Sequence, residues 1–112
     1  MSARSFDLNK RRQGNITVNH DGMEFFEIIL HNTSVFTRYT DGTVILNSGG
    51  WNTTTTKTAM NRAFDLFRMN ARVWQSNFQW KVTFNGVTTN FHDGMEVNGP
   101  MWRMLEKLAL SK

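Results

Sequence analysis

Two dipeptides constrain this chain more than any other feature. Asp41-Gly42 and Asn85-Gly86 each sit between short segments in which apolar and polar residues alternate. Asp, Asn and Gly tolerate positive φ, so each pair predicts a two-residue type I′ turn, whose twist matches that of two antiparallel strands. The flanking segments are Ser34–Tyr39 with Thr43–Asn47, and Phe78–Phe84 with Val87–Phe91. In the second pair, Phe78, Trp80, Val82 and Phe84 alternate with Gln79, Lys81 and Thr83. A period of two puts those four apolar side chains on one sheet face, as a core face or as a row on which bases stack. Ile16 and Val18 alternate in the same way with Thr17 and Asn19. Met23–Leu30 reads as a buried strand and Arg72–Ser76 as another, while His20-Asp21-Gly22 and His31-Asn32-Thr33 read as turns.

Between the two hairpins the period changes. Met60, Ala63, Phe64 and Phe67 recur at i, i+3, i+4 and i+7, which predicts a helix from Thr54 to Met69. Lys57, Asn61, Asp65 and Arg68 fall on another of its faces. Thr53 or Thr54 is the expected N-cap, since four consecutive threonines are poor helix interior. Gly99 and Pro100 announce a second helix, with Met101, Met104, Leu105 and Leu108 as its apolar stripe. The order is strands, helix, strands, helix. We therefore expect an α+β domain: a single mainly antiparallel sheet built from hairpins, with two helices packed on one face or one on each. Its expected extent is residues 14–112, behind a flexible basic arm at residues 1–13 that shows no period.

Composition removes several classes of function. There is no cysteine, and hence no disulfide framework, thiolate nucleophile or cysteine zinc site. No apolar run approaches spanning length and no secretion signal is recognisable, so no membrane role is expected. The net charge of +4 is unevenly placed: residues 1–12 carry +3, residues 13–51 carry −3 and residues 52–72 carry +3. A basic tail and a basic helix thus flank an acidic segment, which suits phosphate-rich partners or is simply a solvated basic face.

The candidate binding residues gather where the first hairpin runs into the helix. Ser48, Gly49, Gly50 and Trp51 lead to Thr53, Thr55, Thr56 and Lys57, and Arg62 and Arg68 continue the basic side of the helix. Helix-start N–H groups have no internal partner, so threonine hydroxyls, open amides and Lys57 together could hold a phosphate. The spacing is not that of a P-loop. The pentapeptide His-Asp-Gly-Met-Glu occurs twice, at 20–24 and 92–96. It offers His20, Asp21, Glu24, His92, Asp93 and Glu96 as a metal-ligand set. Asp-Gly is also ordinary turn chemistry, which makes two similar turns the competing explanation. His31 has no recognisable nucleophile partner, and no catalytic set or cofactor is assigned.

Leu30-His31-Asn32-Thr33, the run from Ser48-Gly49-Gly50-Trp51 to Lys57-x-x-Met60-Asn61, the Trp80 strand and Phe91-x-Asp93-Gly94-Met95 resemble a family of short proteins encoded by tailed bacteriophages. The resemblance covers about residues 15–97. It implies a phage origin and a host-cytoplasmic setting, and brings no reaction and no catalytic residue. The residues themselves point to a non-enzymatic binding protein. Three partners are open: nucleic-acid phosphates met through the basic helix and the Gly/Trp/Thr loop, a host protein that the chain masks, or a phosphate ligand or nucleotide at the helix start.

Overall fold

The computed structural model describes residues 12–13, 16–20, 25–50, 52–99, 102–104 and 107. Strands β1 (Arg12–Gln13), β2 (Ile16–His20), β3 (Phe26–Leu30), β4 (Thr33–Arg38) and β5 (Val44–Leu46) follow one another as antiparallel neighbours. Helix α1 (Thr54–Leu66) comes next, then β6 (Ala71–Ser76), β7 (Gln79–Phe84), β8 (Val87–Asn90) and β9 (Met95–Val97). Strand β9 returns to pair with β5, so the first sheet has the order β1-β2-β3-β4-β5-β9. Strands β6, β7 and β8 form a second sheet of their own. Arg12 and Gln13, at the end of the expected arm, pair with Thr17 and Ile16; residues 1–11 lie outside the described residues.

The fold is α+β and antiparallel as expected, but the expected single sheet is two. The reason lies at the free edge of β6. Ser76 and Gln79 flank a two-residue turn, so Val73 falls opposite Val82 in a pair whose peptide groups point away from β7. A helix takes up those groups. Asn61 Nδ2 donates to the Val73 carbonyl at 3.0 Å, and the Val73 N–H donates to Asn61 Oδ1 at 2.8 Å. One turn earlier Lys57 Nζ donates to Gln75 Oε1 at 3.2 Å, and one turn later Arg72 lies 3.7 Å from the Asp65 carboxylate. The Lys57–Asn61–Asp65 line of α1 therefore stands where a neighbouring strand would stand, and the second sheet ends there.

The other side of α1 is apolar. Ala59, Met60, Ala63 and Phe64 are buried, in one contiguous core that spans both sheets and the helix. Phe64 meets Phe36 edge-on with ring centroids 5.3 Å apart, and Phe67 meets Phe26 in the same way at 4.8 Å. Phe36 is fully buried, and such a ring contributes about 2–3 kcal/mol of transfer free energy. Its register depends on a bulge. Ile28 pairs with Phe36 but Ile29 pairs with Ser34, so Val35 is the extra residue and both Val35 and Phe36 are buried.

The turns correct several sequence expectations. Asn85-Gly86 is type I′ as expected, with φ of 51° and 84°. At Asp41-Gly42 only Gly42 has positive φ, 89°. Tyr39 N–H donates to the Thr43 carbonyl and Gly42 N–H to the Tyr39 carbonyl, both at 2.9 Å, which makes a three-residue loop. The Asp41 side chain accepts the Thr43 N–H at 2.9 Å, and that bond holds its carboxyl below the usual carboxylate range. Two further I′ pairs close hairpins: His31-Asn32 (52°, 63°), where a turn is expected, and Asn77-Phe78 (51°, 66°), where none is. Phe78 is thus the second residue of a hairpin turn and not the first of a strand, and it is 96% exposed.

Helix α1 starts as expected, with Thr53 as N-cap accepting the Thr56 N–H at 3.3 Å. It stops three residues earlier than its apolar period suggests. The Met69 N–H donates to the Phe64 carbonyl at 3.0 Å and the Arg68 N–H to the Asp65 carbonyl at 3.0 Å. Arg68 has φ +54°. These are the two bonds of a Schellman cap, with arginine at the position that usually holds glycine. The second helix is seen at Trp102–Met104 and Lys107, with Arg103 N–H donating to the Gly99 carbonyl at 3.1 Å. Trp102 faces the core against Phe84, whereas Met104, expected on the buried stripe, is 61% exposed. Met101, Leu105 and Leu108 lie outside the described residues.

Candidate nucleic-acid interface

The residues singled out in the sequence do not share one surface. Ser48 is buried, and its N–H and Oγ both lie 2.8 Å from Asp93 Oδ1 as donors. The Gly49 N–H donates to Asn47 Oδ1 at 2.9 Å and the Gly50 N–H to Ser48 Oγ at 3.1 Å. The three amides of this turn are therefore used within the fold. Gly49 has φ +62°, and a Cβ there would run into the Thr33 side chain, so only glycine fits. Trp51 lies outside the described residues.

At the helix start, Thr53 and Thr55 are exposed, but Thr56 is fully buried with its hydroxyl 3.2 Å from that of Thr53. Lys57 is half-buried, held by Gln75 and lying 5.6 Å from the centre of the Trp80 ring. Arg62 lies on a groove with Thr58, Asn61, Asp65 and Arg72. Arg68 lies past the far end of α1. The threonines lie at the opposite end of this thirteen-residue helix, about 20 Å away.

The repeated pentapeptide is likewise divided. His20 ends β2, whereas His92 and Asp93 precede β9, with β3, β4 and β5 between those strands. Four strand spacings amount to about 19 Å, too far for shared metal ligands. Asp21 and Glu24 lie outside the described residues, and among the described residues no three His, Cys, Asp or Glu side chains are placed to hold an ion. The second copy works as a turn. Asp93 holds Ser48, the Gly94 N–H donates to the Leu46 carbonyl at 2.8 Å, Met95 is buried and Glu96 is exposed. His31 occupies its own turn at φ 52°.

A different surface gathers aromatic and cationic groups. The inner face of the second sheet carries Val73, Trp80, Val82 and Phe84, all buried. By strand alternation the outer face carries Arg72, Trp74 and Ser76 on β6, Gln79, Lys81 and Thr83 on β7, and Thr88 and Asn90 on β8. Trp74 is 38% exposed and lies directly opposite Lys81. Its Nε1 donates to Thr83 Oγ1 at 2.9 Å, and Thr83 shares a second bond with Thr88 at 2.7 Å. Lys81 Nζ donates to Asn90 Oδ1 at 2.9 Å. Both Trp74 and Lys81 are thus tethered to the sheet surface. Phe78 projects at the tip of the same hairpin.

Among the described residues no strand of this sheet carries a carboxylate, and Asp65 of α1 meets Arg72 at its edge. Residues 66–92 contain no Asp or Glu but carry Arg68, Arg72 and Lys81. That acid-free run was the available sequence signal. Trp74 and Phe78 are apolar residues in strand-like segments, and the run crosses from the basic helix into the second hairpin, so it does not stand out as a basic block.

A family model described as Kyanoviridae Gp96 protein matches residues 3–98. No curated protein and no solved structure matches the chain.

Proposed function

This chain belongs to the Kyanoviridae Gp96 protein family, short proteins encoded by tailed phages, and for it we propose a non-enzymatic role: binding single-stranded nucleic acid on the outer face of the second sheet. The observation that carries this reading is Trp74, exposed directly opposite Lys81 and two residues from Arg72, whose one acidic neighbour among the described residues is Asp65 at the sheet edge. An indole is a stacking platform for any base, and the neighbouring cations meet phosphates without reading sequence. The tether from Trp74 to Thr83 supports the reading, because a ring already held on the sheet loses little freedom when a base covers it. Phe78 offers a second ring at the hairpin tip, about 10 Å further along the strands. The groove lined by Arg62, Asp65 and Arg72 adds two cations, against one carboxylate, at the edge of β6.

Among the described residues no helix is long and apolar enough to cross a membrane, and the proposed setting is the host cytoplasm. Phe78 favours a second reading. A fully exposed ring on a hairpin tip suits an anchor in a host protein that the phage protein masks.

Salt separates the two. With Arg62, Arg72 and Lys81 each meeting one phosphate, the logarithm of the affinity for a single strand should fall against the logarithm of salt with a slope of about −2. Fluorescence anisotropy of a labelled oligonucleotide of about 12 nucleotides measures it. No binding even at low salt, together with salt-resistant capture of a host protein, would favour masking.

A further inference from the structure

We propose that the cleft at the C-terminal end of α1 is a phosphate site, for a nucleoside monophosphate or the 5′-phosphate end of a strand. The cleft encloses about 320 Å³, enough for a small ligand. Arg38, Arg68, Asn70, Asn85 and Asn98 line it, and among the described residues no carboxylate does. Phe67, Met69 and Phe84 form its apolar wall.

Arg38 is held against an aromatic ring. Its guanidinium lies 4.7 Å from the centre of the Phe67 ring, and no carboxylate among the described residues pairs with it. A guanidinium held by its π face keeps its planar N–H edge for a partner, and a phosphate matches that edge. The nearest acidic neighbour in sequence to the cleft wall, Asp41, is engaged by Thr43.

Arg68 is the second observation. It occupies the left-handed position of the helix cap, φ +54°, where glycine would be free of strain. Cations at a helix C-terminus also suit the helix dipole, but Arg68 is exposed on the cleft that Arg38 lines, so two guanidinium groups share one concave space. The frame around it is set by hydrogen bonds. The Asn85 N–H donates to the Asn70 carbonyl at 2.9 Å, and Asn98 Nδ2 donates to the Gly42 carbonyl at 3.3 Å. Two cations against a dianionic phosphate, with aromatic walls beside them, select a phosphorylated nucleoside over a bare nucleoside.

The test uses the full chain and thermal unfolding. Inorganic phosphate and adenosine monophosphate should raise the melting temperature, whereas adenosine and potassium chloride of matched ionic strength should not. Arg68→Gly should raise the melting temperature of the free protein, because it relieves the cap, and yet abolish the increase caused by the nucleotide. Arg38→Gln should abolish that increase as well. Oligonucleotides with a 5′-phosphate and with a 5′-hydroxyl distinguish a strand end from a free nucleotide. Trp74→Ala should leave the nucleotide effect intact, which keeps this proposal separable from binding on the sheet face. A nucleotide effect that survives in Arg68→Gly, or one that potassium chloride reproduces, would overturn the proposal.

Discussion

Replacing Asn61 by leucine is expected to lower stability by about 2–4 kcal/mol, although Asn61 lies on the polar side of an amphipathic helix. The cost comes from the strand beside it. The Val73 N–H and carbonyl both end on the Asn61 amide, at 2.8 and 3.0 Å, and Val73 is buried. A leucine of similar size supplies neither donor nor acceptor, and each backbone group left without a partner costs about 1–3 kcal/mol. Chemical denaturation should show a lower midpoint with the same slope. Hydrogen exchange should find the Val73 amide released from protection. A stability change below about 0.5 kcal/mol, with that amide still protected, would mean that α1 does not terminate the sheet edge.

Replacing Trp74 by alanine is expected to weaken binding of a single-stranded oligonucleotide about 5- to 150-fold, from the 1–3 kcal/mol that a stacked base contributes. Folding should change little. The indole is 38% exposed and its one hydrogen bond, to Thr83, lies on the solvent face. The same variant at Thr55, which is exposed at the start of α1, should keep wild-type affinity. That pair of variants separates the sheet face from the helix start. Equal affinity for wild type and Trp74→Ala would remove stacking from the account, and a loss at Thr55 alone would return the site to the helix start.

The contrast shows how far the sequence could be read. Local signals were legible wherever one residue type decides the outcome. Asn85-Gly86 gave a hairpin with both turn residues at positive φ, and Thr53 capped the helix. The alternation at Trp80, Val82 and Phe84 gave a buried sheet face. The reading failed where a partner distant in sequence decides. Lys57, Asn61 and Asp65 form a polar stripe, which resembles a solvated face, yet each meets β6. That contact makes two sheets from what the hairpins alone suggest is one.

Phe78 shows the same limit from the other side. Its place in a period of two is right for a strand, but Asn77 opens a two-residue turn and Phe78 must complete it at φ 66°. The candidate site suffered most. Glycines, threonines and a lysine next to a helix start look like an anion cradle, but Asp93, 45 positions from Ser48, already holds the Ser48 N–H and hydroxyl. By contrast, Trp74 and Lys81 become neighbours only through the register of β6 on β7.

The most direct measurement is a two-dimensional nitrogen–proton NMR titration of the whole chain with a single-stranded oligonucleotide at low salt. The indole N–H of Trp74 and the amides of β6, β7 and β8 should shift together, while those of Ser48, Gly49 and Gly50 stay in place. Shifts confined to the turn and the start of α1, with the Trp74 indole unmoved, would contradict a sheet-face interface.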